Sequence, residues 1–379
     1  MRGKVMYRKL TALILTTAAL LSLGGCSGIY NKEYLSVNEY EPAVQENYSS
    51  NEKITVRNFS GLKQAILRFA YAGETEGRVI FDSSYEGDAL EDMASACWQV
   101  RTQDALCAYC VENIAYELTK IVTTNEASVY ISYSNFCESA DNIIQLPFSY
   151  GIESTLREAL ENRDRNLVVL VASSSYSAED IQSLLTKVYR ENPAVVPREP
   201  QASVNMYSGT GAQRLYEISI NYGLTSEELE QRVAALQAID AFSGLNTDSL
   251  NEYDRALAAC RYLVDNCAVS DSSSDNTAYA ALVNRQANSE GIAFAYVELC
   301  RQLGLECNIV YGQLFWEDYC WNIVRVDGNY YHVDATECIR SGLESGFLKN
   351  DEGFWGNYRW DVASYPKCVG ELSYMAESE

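Results

Sequence analysis

The stretch that most restricts what this chain can fold into runs from Ser289 to Ala335, where a helical apolar period is followed at once by three strand-like runs. Ile292, Tyr296, Leu299 and Leu303 recur at the spacing of one helix face. Ser289 stands where an N-cap would, Glu290 falls in the first turn, and Gly304 offers a left-handed stop. The spacing predicts a core helix. Glu306 to Leu314, Cys320 to Arg325 and Asn329 to Ala335 then read as strands, the last two joined at Asp327-Gly328, a strong hairpin pair. Loop length decides which side chains share a face. A two-residue loop sets Asp334 opposite Trp321 and mixes polar with apolar, so the pattern favours a three-residue loop, Val326-Asp327-Gly328, with Cys320 opposite Asp334. Trp321, Ile323, Tyr331 and Val333 then share one face, and Cys320, Asn322, His332 and Asp334 the other.

The motifs around this stretch come in a definite order. Ala278 to Val283 precedes Ser289-Glu290-Gly291, followed by Leu303 to Cys307, Cys320-Trp321-Asn322, and Tyr331-His332-Val333-Asp334-Ala335-Thr336. From about Leu257 to Cys368 the order resembles bacterial transglutaminase-like domains of the papain-like superfamily, with Phe347-Leu348, Trp360 and Tyr365 to Cys368 resembling the family's tail. The resemblance implies a nucleophilic cysteine at a helix start, a histidine just before Trp-Asn, and an aspartate closing the next strand. A helix terminus and an imidazolium favour the thiolate, and the carboxylate orients the ring. Here those catalytic positions carry Ser289, Cys320 and Asp334, so only the aspartate remains. Trp321, Asn322 and His332 flank them as candidate binding residues.

A serine at the nucleophile position needs a general base, and a thiol replaces imidazole poorly. The chain has one histidine, His332. In the favoured register it lies diagonal to Cys320, roughly 7–8 Å away, too far for direct proton transfer. Three readings follow: a non-catalytic binding or scaffold module that keeps the cleft; an acyl-transfer or protease-like enzyme rearranged around Cys320 and His332; and a cell-wall polymer binder using tyrosine-bearing strands. A peptide or a cell-wall component is the expected partner, and no cofactor or metal is implied.

The 379 residues, 47% of them hydrophobic, leave room for two or three domains with real cores. A net charge of −23 argues against nucleic acid and against electrostatic attraction to anionic membranes. Membrane contact is expected through lipid instead. Lys4, Arg8 and Lys9 precede an apolar run from Leu10 to Leu23, and Leu23-Gly24-Gly25-Cys26 resembles a bacterial lipobox. Export with lipidation of Cys26 follows, anchoring the protein on the extracellular face of the cell membrane. Twelve cysteines less Cys26 leave an odd number, so at least one thiol stays free. Cys107-x-x-Cys110 reads as core or disulfide, Cys260 and Cys267 are too far apart along a helix to bridge, and Cys338 with Cys368 is a candidate pair.

Between Ile54 and Thr225 a helix-strand-helix-strand pattern runs twice. The first copy has a helix bearing Leu62, Ile66 and Phe69, a strand from Arg78 to Tyr85, a helical region from Ala89 to Ile121 and a strand from Ala127 to Tyr133. The second repeats the order with Leu156 and Leu160, Leu167 to Tyr176, Ile181 to Val188, and Arg214 to Tyr222. Ser84-Tyr85 and Ser175-Tyr176 recur about 90 residues apart, longer than a solenoid unit. Thr225 and Glu228 have capping-box spacing, and Phe242 to Asp248 reads as a linker. The expected class is α+β: a signal peptide (1–25), a tether (26–51), a duplicated α+β domain (52–240) and a papain-like transglutaminase-like domain (241–379).

Overall fold

The computed structural model describes residues 53–121, 124–134, 143–272 and 274–375. The expected signal peptide, Cys26 and the expected tether lie outside the described residues. Among the described residues no helix is long and apolar enough to cross a membrane.

The first copy comprises β1 (Lys53–Val56), α1 (Phe59–Tyr71), β2 (Glu76–Phe81), α2 (Ala89–Gln103), α3 (Ala105–Cys110), β3 (Val111–Ile121) and β4 (Thr124–Tyr133). The second comprises β5 (Ile143–Phe148), α4 (Gly151–Asn162), β6 (Asn166–Ser173), α5 (Ala178–Glu191), β7 (Gln201–Ser208) and β8 (Arg214–Asn221). The two sheets have one topology. Strand order is β1-β2-β4-β3 in the first and β5-β6-β8-β7 in the second, and each has one parallel and two antiparallel pairings at matching places. The helical region expected from Ala89 to Ile121 stops at Cys110. Val111–Ile121 instead forms the long hairpin partner of β4, its β-branched and aromatic residues paired from Val111↔Tyr133 to Ile121↔Thr124.

Strand-end tyrosines do the same work in both copies. The Tyr133 hydroxyl donates to the Glu74 carbonyl at 2.9 Å, just past α1, and the Tyr222 hydroxyl donates to the Asp164 carbonyl at 2.9 Å, just past α4. Each ties the segment just past a helix to the far end of a strand and satisfies a carbonyl of that connecting segment. These rings are therefore structural braces, not free stacking surfaces.

The remaining elements are α6 (Ser226–Gln237), α7 (Glu252–Asn266), β9 (Ala268–Val269), α8 (Ala278–Leu282), β10 (Gln286–Ala287), α9 (Ser289–Gln302), β11 (Cys307–Leu314), β12 (Glu317–Val326), β13 (Asn329–Val333), α10 (Ala335–Ser341), α11 (Leu343–Gly346), α12 (Asp351–Phe354) and β14 (Tyr358–Arg359). Thr225 and Glu228 close a reciprocal capping box on α6. The third sheet runs β13-β12-β11-β14. The first copy keeps its own core around Leu62, Phe69, Met93 and Val129. The second copy shares a continuous core with the C-terminal elements, in which Tyr189 of α5 meets Phe294 of α9 edge-on at 5.5 Å. α9 is buried on every side from Gly291 to Cys300, and Tyr296 donates to the Ala256 carbonyl of α7 at 3.2 Å. An all-round apolar helix belongs at the centre of a domain.

If Tyr133 and Tyr222 are equivalent braces, Tyr133→Phe and Tyr222→Phe should each cost about 1 kcal/mol of unfolding free energy. Because they sit in separate cores, the two costs should add in the double variant, as measured by urea denaturation.

Candidate active site

The site grows from the start of α9 and from the β12–β13 hairpin. Asn288, not Ser289, is the N-cap: its side chain accepts the Gly291 N–H at 3.1 Å, which makes Ser289 the first helical residue. Gly291 has to be glycine, because a Cβ there would lie 2.6 Å from the Asp275 carbonyl and 2.9 Å from the Thr277 nitrogen. Ser289 is half-buried, and its hydroxyl has no hydrogen-bond partner among the described residues.

The hairpin turns through two residues, not three. Val326 pairs with Asn329, and the turn residues Asp327 (φ 50°) and Gly328 (φ 81°) are both left-handed, as in the turn that suits the right-handed strand twist. The register is therefore one residue off the expected one, with Asn322↔Val333, Ile323↔His332 and Val324↔Tyr331. Cys320 does not face Asp334. The expectation failed because it sought a cleaner buried face, whereas both faces of β12 are buried. Cys320, Val324, Tyr331 and Val333 join the α9 core, while Trp321 and Ile323 join a second cluster with Phe354 and Trp360.

That second cluster encloses His332. The Trp321 Nε1–H donates to His332 Nδ1 at 3.0 Å, so the ring proton sits on Nε2 and is given to Asp351 Oδ1 at 3.0 Å. Phe354 stacks on the ring at 4.8 Å, and burial lowers the pKa below its usual value, with Asp351 opposing. His332 therefore lies on the other face of the hairpin from Cys320 and cannot serve it as a base. Neither can it hold a metal, although His332, Asp351 and Cys368 each place one ligand atom within 4.8 Å of the others. With Nδ1 accepting from tryptophan and Nε2 protonated, the imidazole has no lone pair to offer.

The candidate binding residues are equally enclosed. Trp321, Asn322 and His332 are all at or below 1% exposure, and Asn322 donates to the Ala293 carbonyl of α9 at 3.0 Å. They hold the sheet together and do not line an open cleft.

Asp334 is fully buried and caps α10. Its Oδ1 accepts the Glu337 N–H at 2.9 Å and the Tyr319 hydroxyl at 3.2 Å, and its Oδ2 accepts the Tyr358 hydroxyl at 2.7 Å. Burial raises its pKa to about 6 against the pull of those three donors. Tyr319 and Tyr358 were missed from the sequence. The one available signal was that Tyr319 alternates with Trp321, a side chain the correct register places on the Asp334 side.

Cys320 faces α9, where burial pushes its thiol up to about 12, with Glu290 adding and Arg190 opposing. That is the reverse of an activated cysteine. Arg190 of α5 lies over the Tyr311 ring, its guanidinium carbon 4.2 Å from the ring centre, and Tyr311 pairs with Cys320. A cavity of about 820 Å³ runs between α5 and β11, lined by Lys187, Arg190, Asn308, Tyr311 and Tyr365. Glu290, the residue after Ser289, is within electrostatic reach of Cys320 and Arg190. Asp334 is instead held by Tyr319 and Tyr358. Cys338 and Cys368 are both free thiols in separate clusters, so the candidate disulfide does not form, while Cys110 is disulfide-bonded.

With this geometry in place, residues 242–335 match the family model of the transglutaminase-like superfamily. These residues form a transglutaminase-like domain. Solved structures with some likeness are a crystal structure of a TGase (13% identity, TM-score 0.27, covering 62% of this chain and 65% of that one) and a candidate cysteine protease from Cytophaga hutchinsonii (14%, 0.23, 36% and 62%). A third is menin, in a structure revealing its binding site for the Mixed Lineage Leukemia protein (19%, 0.22, 30% and 26%). This chain thus spans less than two thirds of each. No curated protein matches the sequence. The α+β class and the transglutaminase-like domain stand; the three expected catalytic positions of that domain hold a serine, a buried thiol and a tyrosine-bound aspartate.

The buried carboxyl gives a pH signature with a definite sign. Its folded pKa lies above the unfolded value of 3.8, so its share of stability is complete below about pH 4 and is lost as pH rises through about 6. His332, with a depressed pKa, acts oppositely, losing stability as pH falls below its unfolded value. The difference between wild type and Asp334→Asn isolates the carboxyl. It should change by about 2–3 kcal/mol between pH 4 and pH 7, with wild type relatively stronger at the acid end, as read from unfolding midpoints.

Proposed function

We propose that the protein is a non-catalytic binding module, exported and held on the outer face of the membrane by lipid on Cys26, whose transglutaminase-like domain supplies a rigid frame and no acyl-transfer chemistry. The observation that carries this reading is the state of the one histidine. Its Nδ1 is taken by Trp321 and its Nε2 by Asp351, on the face of the hairpin away from Cys320. Ser289 consequently has no imidazole to take its proton, and an alcohol without a base is a weak nucleophile. Asp334 has hydroxyl donors in place of a ring to orient. The same geometry weakens the reading of an enzyme rearranged around Cys320 and His332. A peptide or cell-wall component remains the partner class.

Two measurements test the reading. Purified full-length protein should neither incorporate a primary amine into a glutamine-containing casein nor hydrolyse it, and Ser289→Ala should match wild type. Turnover in wild type that Ser289→Ala abolishes would refute it. Mass spectrometry of the membrane fraction should find a diacylated N-terminal Cys26, whereas a soluble form cut elsewhere would remove the anchor from the proposal.

A further inference from the structure

The β11–β12 hairpin turns through Phe315 (φ 51°) and Trp316 (φ 75°), both in the left-handed region that favours glycine and asparagine. The neighbouring hairpin meets the same demand with Asp327-Gly328. Two aromatic residues at such positions work against the turn, and neither is there to fill a core: Phe315 is 66% and Trp316 69% exposed. A second turn lies beside the first, since the Phe315 N–H donates to the Asn357 carbonyl at 3.0 Å. It carries Trp355, 64% exposed, bridged to Tyr358 and packed against Trp360 at 5.8 Å.

The Trp316 ring is held in place. The Arg359 guanidinium sits 3.3 Å from the centre of the Trp316 ring, which fixes that indole by a cation–π contact on one face. Exposed apolar patches of this kind mark interaction sites. Glu317 and Asp318, next in sequence to Trp316, are exposed, as are Glu352 and Asp361 beside the second turn.

We infer that Phe315, Trp316 and Trp355 form a platform for a neutral glycan, with the rings stacking on the C–H faces of sugar units and the neighbouring carboxylates accepting sugar hydroxyls. The inference rests on the binding-module reading and names its ligand class and surface. Four exposed carboxylates around these turns, against the one guanidinium of Arg359, decide against anionic occupants. With a net charge of −23 behind them, they oppose phospholipid headgroups and phosphate-bearing polymers, while carboxylates are good acceptors for hydroxyl donors. An aromatic face accepts a sugar without requiring a charge on it.

The test uses full-length protein with three probes: peptidoglycan stripped of phosphate polymers by acid, soluble chitin hexasaccharide, and phosphatidylglycerol vesicles. Co-sedimentation with the stripped glycan and micromolar to millimolar binding of the hexasaccharide are expected, with no vesicle binding by delipidated protein. Trp316→Ala and Trp355→Ala should each weaken glycan binding ten-fold or more, and Trp98→Ala, an exposed tryptophan on α2, should leave it unchanged. The decisive variant is Phe315→Asn with Trp316→Gly. It gives the turn its favoured residues, so it should raise the unfolding midpoint while abolishing glycan binding, an outcome that a purely structural role for the rings does not produce. Absence of glycan binding, binding indifferent to Trp316 and Trp355, ring-dependent vesicle binding, or ring-dependent self-association would each overturn the platform. Amine incorporation by a protein that still binds glycan through Trp316 would instead sink only the non-catalytic reading.

Discussion

β12 is covered on both faces, and much of the domain's architecture follows from that. On one side it must meet α9, a helix buried all round, and it does so with Cys320, Asn322 and Val324. On the other it must meet the aromatic cluster, through Trp321 and Ile323. A strand in this position turns its polar side chains to protein partners, although the Asn322 Oδ1 finds none among the described residues. Asn322 accordingly bonds the α9 backbone, and His332 opposite Ile323 is bonded at both nitrogens. The hydrogen bonds that make the sheet fit between its two layers are the same ones that withdraw its only imidazole from chemistry.

The sequence made the elements legible wherever a single periodicity dominated. The α9 period, the Thr225 box, the Gly304 stop and the Asp327-Gly328 turn all appear in the structure because each is a local preference that packing did not need to override. It misplaced what depended on a second layer. The alternation rule assumes one wet face and one dry face, and β12 has two dry ones, so the rule chose the wrong register. The strand at Val111–Ile121 reads as helix for a related reason: its pairing partner is a separate strand, β4, and periodicity is measured within one segment only. The repeated strand order was visible as recurring tyrosines. Their role as braces was not, because the carbonyls they reach lie just past helix ends almost 60 residues away in sequence.

At the site, residue types were readable and partners were not. Ser289, Cys320 and Asp334 could be singled out from motif order, but a one-residue shift turned Cys320 from Asp334 and left Tyr319 in reach. Hydroxyl and imidazole donors are not interchangeable here. A tyrosine whose own pKa is raised by burial beside a carboxylate holds its proton firmly, so it can bind Asp334 but cannot pass a proton on near neutral pH.

This also explains what Asp334 does without a ring to orient. A carboxyl at a helix start, accepting one backbone N–H and two hydroxyls, fixes the chain where β13 hands over to α10. Burial alone favours the protonated acid, while the three donors favour the anion, and the balance falls at a pKa of about 6 instead of in the usual carboxylate range. Removing any one donor tips that balance further toward the neutral form. A carboxyl poised this way needs no catalytic role: it is the cap of α10 and the clasp that joins Tyr358 of β14 to the rest of the sheet, on the same side strand whose Arg359 steadies the exposed Trp316.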